Sequence, residues 1–159
     1  MNAQVVLSAQ IYTLTHTLYE RALEGLSPDD LRRPAGPESN SMLWIAAHLA
    51  HVRCSLLKML GQETEIPWGG RFGRGQHPDA GSYPGIEEVL SLWRQTGQIL
   101  RERFESLTAD ELAQKAPRDF PIADKTLTGA IHFLAFHEGY HVGQMAYLRK
   151  WLGKESLVG

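Results

Sequence analysis

From Leu127 to Leu152 the chain is apolar almost without a break, and at the centre of that run stands His137-Glu138-Gly139-Tyr140-His141. A run of this length without period-two alternation reads as a helix, and Gly153 beyond it suits a left-handed cap. Leu134, His137, His141, Leu148 and Leu152 share one heptad-like stripe, so both histidines are expected to face a helical core. An imidazole placed there needs polar partners for both ring nitrogens. Histidines four apart lie one turn above the other, where both rings can reach a single metal ion.

Three more segments carry helical periodicity. Residues 3–25 place Leu7, Ile11, Leu14, Leu18 and Ala22 at three-four spacing, and residues 41–60 end at Gly61, a second candidate left-handed cap. Residues 86–107 set Ile86, Val89, Trp93, Leu100, Phe104 and Leu107 against a charged face, and the fourth helix covers residues 126–152. No sheet is expected. Leu23 to Leu31 echoes Phe104 to Leu112, each copy closing a long helix with a Ser/Thr-acidic turn before a histidine-bearing helix. Two similar helical hairpins follow. Between them residues 62–85, rich in Gly and Pro, carry Trp68, Phe72 and Tyr83. A connection that long can span the roughly 30 Å of a twenty-residue helix, making the second and third helices parallel. The expectation is an all-α four-helix bundle, up-down-down-up, forming a single domain over residues 1–159, with the aromatic crossover packed on an end or side.

A net charge of −2 and a pI near 6.4 give no electrostatic case for nucleic acid or an anionic membrane. No apolar run reaches transmembrane length free of charge or histidine, and Met1-Asn2-Ala3-Gln4 lacks the basic flank of a signal peptide. The single cysteine, Cys54, fits a reducing cytoplasm and reads as a small packed apolar residue.

The second helix offers His48 and His51. His48 is in register with Ile45, Val52 and Met59, whereas His51 points further out beside Ser55 and Lys58, so the phase favours His48 as the third ligand. Antiparallel packing brings His48, His137 and His141 to one level. His16 and His132 lie opposite their apolar stripes and are read as solvated or interface residues, while His77 belongs to the crossover. Gln144, three after His141, is a candidate to orient it. Metal affinity should fall as pH drops through the imidazole range near 6.5.

His-Glu-x-x-His also occurs in zinc proteases, with Glu as the base. That reading fails on the residues. One protease class needs Gly and His at set positions downstream, where this chain has Gln144 and Tyr147; the other needs a glutamate on a following helix, and only Glu155 remains. Glu138 lies about 100° around the helix from His137, at the flank of any site there.

Asn40-Ser41 leading into Trp44-Ile45-Ala46-Ala47-His48-Leu49, with Thr128 and His137-Glu138-Gly139-Tyr140-His141-Val142-Gly143-Gln144, resembles the DinB-like (YfiT-like) superfamily of damage-inducible four-helix metalloproteins. The likeness covers nearly the whole chain. It implies an up-down-down-up bundle and a divalent metal held by His48, His137 and His141. Where that family often carries a basic residue after the last histidine, this chain has Val142. Characterised relatives include thiol-dependent S-transferases and a mycothiol-dependent isomerase.

Three neutral imidazoles leave an open position on a dipositive ion, zinc by default and nickel as the alternative. Three functions are then expected in order: a metal-dependent low-molecular-weight-thiol S-transferase, a metal-dependent hydrolase, and a metal-binding stress-response protein without catalysis. Arg53, Arg71, Arg74 and Arg94 are candidates for a cofactor's carboxylates. Finally, Ala47, Ala50, Cys54 and Leu57 lie off the His48 stripe of an almost wholly apolar helix, which points to a homodimer across that face.

Overall fold

In the structure, a computed structural model that describes residues 1–76 and 78–158, four long helices form the bundle: α1 (Val6–Leu23), α3 (Met42–Met59), α4 (Ile86–Ser106) and α6 (Leu127–Trp151). Short helices α2 (Pro28–Arg32) and α5 (Ala109–Leu112) follow the first helix of each hairpin. Both begin with a complete capping box, Ser27 with Asp30 and Thr108 with Glu111, and each buries one leucine, Leu31 or Leu112. The internal echo in the sequence is therefore a repeated device for turning the chain. Ser41 and Thr126 cap α3 and α6, and Gly61 and Gly153 close them in the left-handed conformation. Among the described residues the only β-type pairing is one bridge, Lys115 to Thr126.

Cross-helix contacts fix the direction of each helix. Gln4 meets His132 and Ala22 meets Arg149, so α1 and α6 run parallel. Tyr19 bonds Ala46 while Tyr12 bonds Arg53, so α1 and α3 run antiparallel. Arg94 pairs with Glu20 and the Met1 amino group with Glu105, so α4 also opposes α1. The order is up-down-down-up. The crossover carries two 3-10 turns, Pro67–Gly70 and Ala80–Ser82, and inserts Phe72 fully into the core with Trp68 and Tyr83 edge-on to it.

Two apolar clusters stack along the bundle. One is built on Tyr19, Ala46, Trp93 and Met145, the other on Tyr12, Leu57, Leu100 and Ile131. Between them lies a polar layer of Thr15, Arg53, Thr96 and Glu138, all buried. This layer overturns two expectations. On α1 the buried face is Ser8, Tyr12, Thr15 and Tyr19, while Leu7 and Leu14 of the expected stripe are 68% and 59% exposed. Of these inward hydroxyls Thr15 donates to the buried Glu138 carboxylate and Tyr19 to the Ala46 carbonyl, while the Tyr12 and Tyr19 rings pack within the core. On α6 the most buried line runs through Ile131, Ala135, Glu138, Val142 and Met145, and the paired histidines sit at its edge, half-buried.

The homodimer expectation loses its surface. Ala47, Ala50, Cys54 and Leu57 have no exposure within the single chain. Val89 and Trp93 of α4 share one apolar cluster with Ala47 and Ala50, and Leu100 and Phe104 share the other with Leu57.

Candidate metal centre

His48 comes from α3, and His137 and His141 from successive turns of α6, and their ligand nitrogens all lie within 4.8 Å of one another. His137 Nε2 is 3.3 Å from His48 Nε2 and 3.2 Å from His141 Nε2. Among the described residues this is the only such cluster of His, Cys, Asp or Glu.

The neighbours set the tautomers. The His48 Nδ1–H donates to the Phe72 carbonyl at 2.6 Å, and the His141 Nδ1–H donates to Gln144 Oε1 at 2.7 Å. Both rings therefore present an unprotonated Nε2 to the centre. His137 Nε2 can offer at most one hydrogen to the two lone pairs that face it, and in the other tautomer it offers none, so the three nitrogens cannot satisfy one another in full. His137 Nδ1 is buried with no partner. Burial first, then the neighbouring imidazoles, hold His137 down to about 3 and His141 to about 4, and burial likewise lowers His48. The rings are thus neutral at pH 7 and short of one cation, which is what a divalent ion requires of its ligands. In the folded chain, protons compete for them well below the ordinary imidazole range, lower than the spacing alone suggested.

The crossover completes the site, because Phe72 both anchors the loop in the core and orients His48. Gln144 holds His141 as anticipated, and is itself tied to Tyr140 at 3.2 Å. The family model "DinB superfamily" matches residues 11–145. The chain belongs to the DinB superfamily. Three solved structures share the fold, and identities this low carry the fold alone. YfiT from Bacillus subtilis, described as a probable metal-dependent hydrolase with an unusual four-helix bundle topology, is 16% identical, with TM-score 0.71 over 98% of this chain and 91% of its own. A DinB-like protein from Bacillus cereus ATCC 10987 is 17% identical, with TM-score 0.69 over 94% and 93%. A conserved protein from Enterococcus faecalis is 12% identical, with TM-score 0.67 over 97% and 99%. No curated protein matches the sequence.

For a DinB-superfamily chain carrying His-Glu-x-x-His, the fate of Glu138 decides the protease question. Glu138 is 1% exposed and points away from the histidines into the polar layer. Arg53 Nε and Nη2 each donate to it at 2.8 Å, and the Thr15 hydroxyl donates to the same carboxylate. Arg53 also lies over the Trp93 ring, 3.3 Å from its centroid, and donates to His16 Nδ1 at 2.9 Å. No acid or base is left there for a substrate to meet. Sequence reasoning placed Glu138 at the flank of the site and Arg53 among anion-binding candidates; both are structural. Their signal was present, one charge of each sign at mid-height of two apolar helices.

The histidines open onto a cavity of about 490 Å³ walled by Trp44, Val52, Phe120 and Phe133, with His51, Arg74 and Arg118 also lining it. His51 is no ligand, yet it is not a bystander: it is half-buried, its Nδ1 lacks a partner, and burial lowers its pKa. Cys54 is buried, and that burial pushes its thiol up to about 11, so it is no nucleophile. His16 stacks on Trp93 at the α1–α4 seam, and exposed His132 meets the Gln4 carbonyl. His77 lies outside the described residues. No described helix is long and apolar enough to cross a membrane.

Proposed function

We propose that the chain is a divalent-metal-dependent enzyme acting on a small molecule in this cavity, with transfer of a low-molecular-weight thiol to an electrophile as its reaction. The observation that carries the metal is the convergence of three neutral imidazoles, two of which, His48 and His141, have their Nδ1–H groups engaged outward on Phe72 and Gln144. His48, His137 and His141 would hold the ion, zinc by default with nickel the alternative. When bound, such an ion lowers the pKa of a thiol or a water at its open position.

What favours a thiol over water is the shortage of carboxylate bases. Glu138 is sequestered by Arg53, and the one carboxylate lining the cavity, Asp119, has an 85% exposed side chain 4.0 Å from Lys125. A thiol deprotonated at the site needs no strong base. The sulfur forms the new bond to carbon, the leaving group departs with the old bonding pair, and His51, kept neutral by burial, takes the thiol proton. The walls of Trp44, Phe120 and Phe133 suit an apolar electrophile. Hydrolysis is the second reading, supported by the description of YfiT as a probable metal-dependent hydrolase.

The two separate in one assay. Metal-loaded protein is given an aryl halide and an aryl ester, each with and without a small thiol. Thioether formation that needs both metal and thiol, and disappears in His137→Ala, supports transfer. Ester cleavage by water alone replaces it with the hydrolase reading. Metal-dependent melting with no turnover leaves a binding protein.

A further inference from the structure

The metal cavity has an uneven charge. Arg74 and Arg118 line it together with His51, and among the described residues neither guanidinium makes an ion pair or a hydrogen bond. Most other arginines are held, Arg53 by Glu138, Arg94 by Glu20, Arg103 by Glu111 and Arg71 by the Trp68 carbonyl; Arg21 and Arg101 are likewise unpaired but do not line this cavity. The acid beside Arg118, Asp119, does not pair with it; its largely exposed carboxylate lies 4.0 Å from Lys125. Arg118 is nonetheless held in place, its guanidinium stacked 4.9 Å from the centroid of Phe120, which is itself only 6% exposed.

The cavity also gathers unmet polar atoms. Of the four buried side-chain polar atoms without a partner among the described residues, three belong to residues that line it: Trp44 Nε1, His51 Nδ1 and His137 Nδ1. The Trp44 N–H can only donate, and His51 Nδ1 can do so in one tautomer, so the lining residues are short of acceptors.

We propose that the molecule taken up here is an anion: an acceptor end, carboxylate or phosphate, is held at the mouth by Arg118 and Arg74 while its donor atom reaches the histidines. The inference rests on the metal-site reading above and names the class of thiol it would take. The two guanidiniums act as specificity residues. They bind charge at a distance from the reacting atom and leave the apolar wall to the electrophile.

The test is equilibrium titration of cobalt(II)-loaded protein with mercaptosuccinate and with uncharged 2-mercaptoethanol, read by visible absorption and compared per free thiolate. Mercaptosuccinate should bind about tenfold tighter or more, the scale of charge-assisted hydrogen bonds. Arg74→Ala with Arg118→Ala should bring the two thiols to within about twofold, high salt should erode the preference in the parent protein, and Arg94→Ala should change nothing. Equal affinities in the parent, or a preference that survives the double variant, would overturn the anion inference while the metal site stands. A cobalt spectrum that neither thiol alters overturns the thiol reading itself and this proposal with it. Mercaptosuccinate displaced by inorganic phosphate as readily as by succinate would assign the mouth to phosphate and carboxylate alike; displacement by succinate alone narrows it to carboxylates.

Discussion

The bundle holds two polar centres on neighbouring turns of α6, and they differ in one respect. Around Glu138 every charge has its partner: Arg53 forks onto the carboxylate, Thr15 adds a third bond, and His16 and Trp93 close over the guanidinium. Around His137 the account does not close. Two Nε2 lone pairs face a third ring, and a buried Nδ1 has no partner. A centre whose charges are paired internally holds helices in register; a centre built just as carefully and left one cation short is made for a ligand. The two are coupled, because the Arg53–Glu138 pair joins the same two helices, α3 and α6, that carry His48 and the paired histidines.

The comparison breaks most visibly by removing one partner of the closed centre. Arg53→Met strands a buried carboxylate and should cost about 3–5 kcal/mol in urea denaturation. Adding Glu138→Leu should recover much of that. A single-variant loss below about 1 kcal/mol would mean that the pair is not the register lock described.

Next in size is Gly97→Ala. A Cβ there would lie 2.6 Å from His16 Cε1, 2.7 Å from His16 Nδ1 and 3.0 Å from Arg53 Nη1, so α4 approaches the closed centre only because this position is glycine. Overpacking of that kind costs about 1–3 kcal/mol, and thermal melting should show it with metal stoichiometry unchanged in the folded protein.

At the open centre, Gln144→Ala removes the acceptor that fixes His141, and metal affinity by competition with a chromophoric chelator should fall about 10–100-fold with stability nearly constant. Equal affinity would show that His141 needs no orienting partner. Smaller and more gradual is the pH response of metal-free protein. His137 and His141 are held to about 3 and about 4 when folded, against about 6.5 in an unfolded chain. Below pH 6.5 the unfolded chain therefore takes up protons that the folded chain refuses, and stability declines from there until the folded values are reached. His137→Ala should flatten that decline, and a slope unchanged in the variant would place the proton uptake elsewhere. His51→Ala should leave metal stoichiometry untouched.

Much of this was legible in the sequence. Helix ends fell within a few residues because Ser41, Thr126, Gly61 and Gly153 announce them by capping chemistry. The histidine trio followed from spacing of four on one helix and register on another. The closed centre was not read, because hydrophobic periodicity scores Arg53 and Glu138 as surface and Leu7 and Leu14 as core, and the structure reverses all four. Pairing across 85 residues of sequence is a tertiary fact. Arg118 escaped notice for a related reason: nothing local marks which loop arginine will find its neighbouring carboxylate turned elsewhere.

The central claim is that the open centre is completed by a metal ion, and elemental analysis of untagged protein tests it most directly. Parent protein should carry about one divalent ion per chain after dialysis, His137→Ala none while still helical by circular dichroism, and Glu138→Gln as much as the parent in its folded fraction. Metal-free parent protein whose melting is unmoved by zinc, nickel or cobalt would contradict the account.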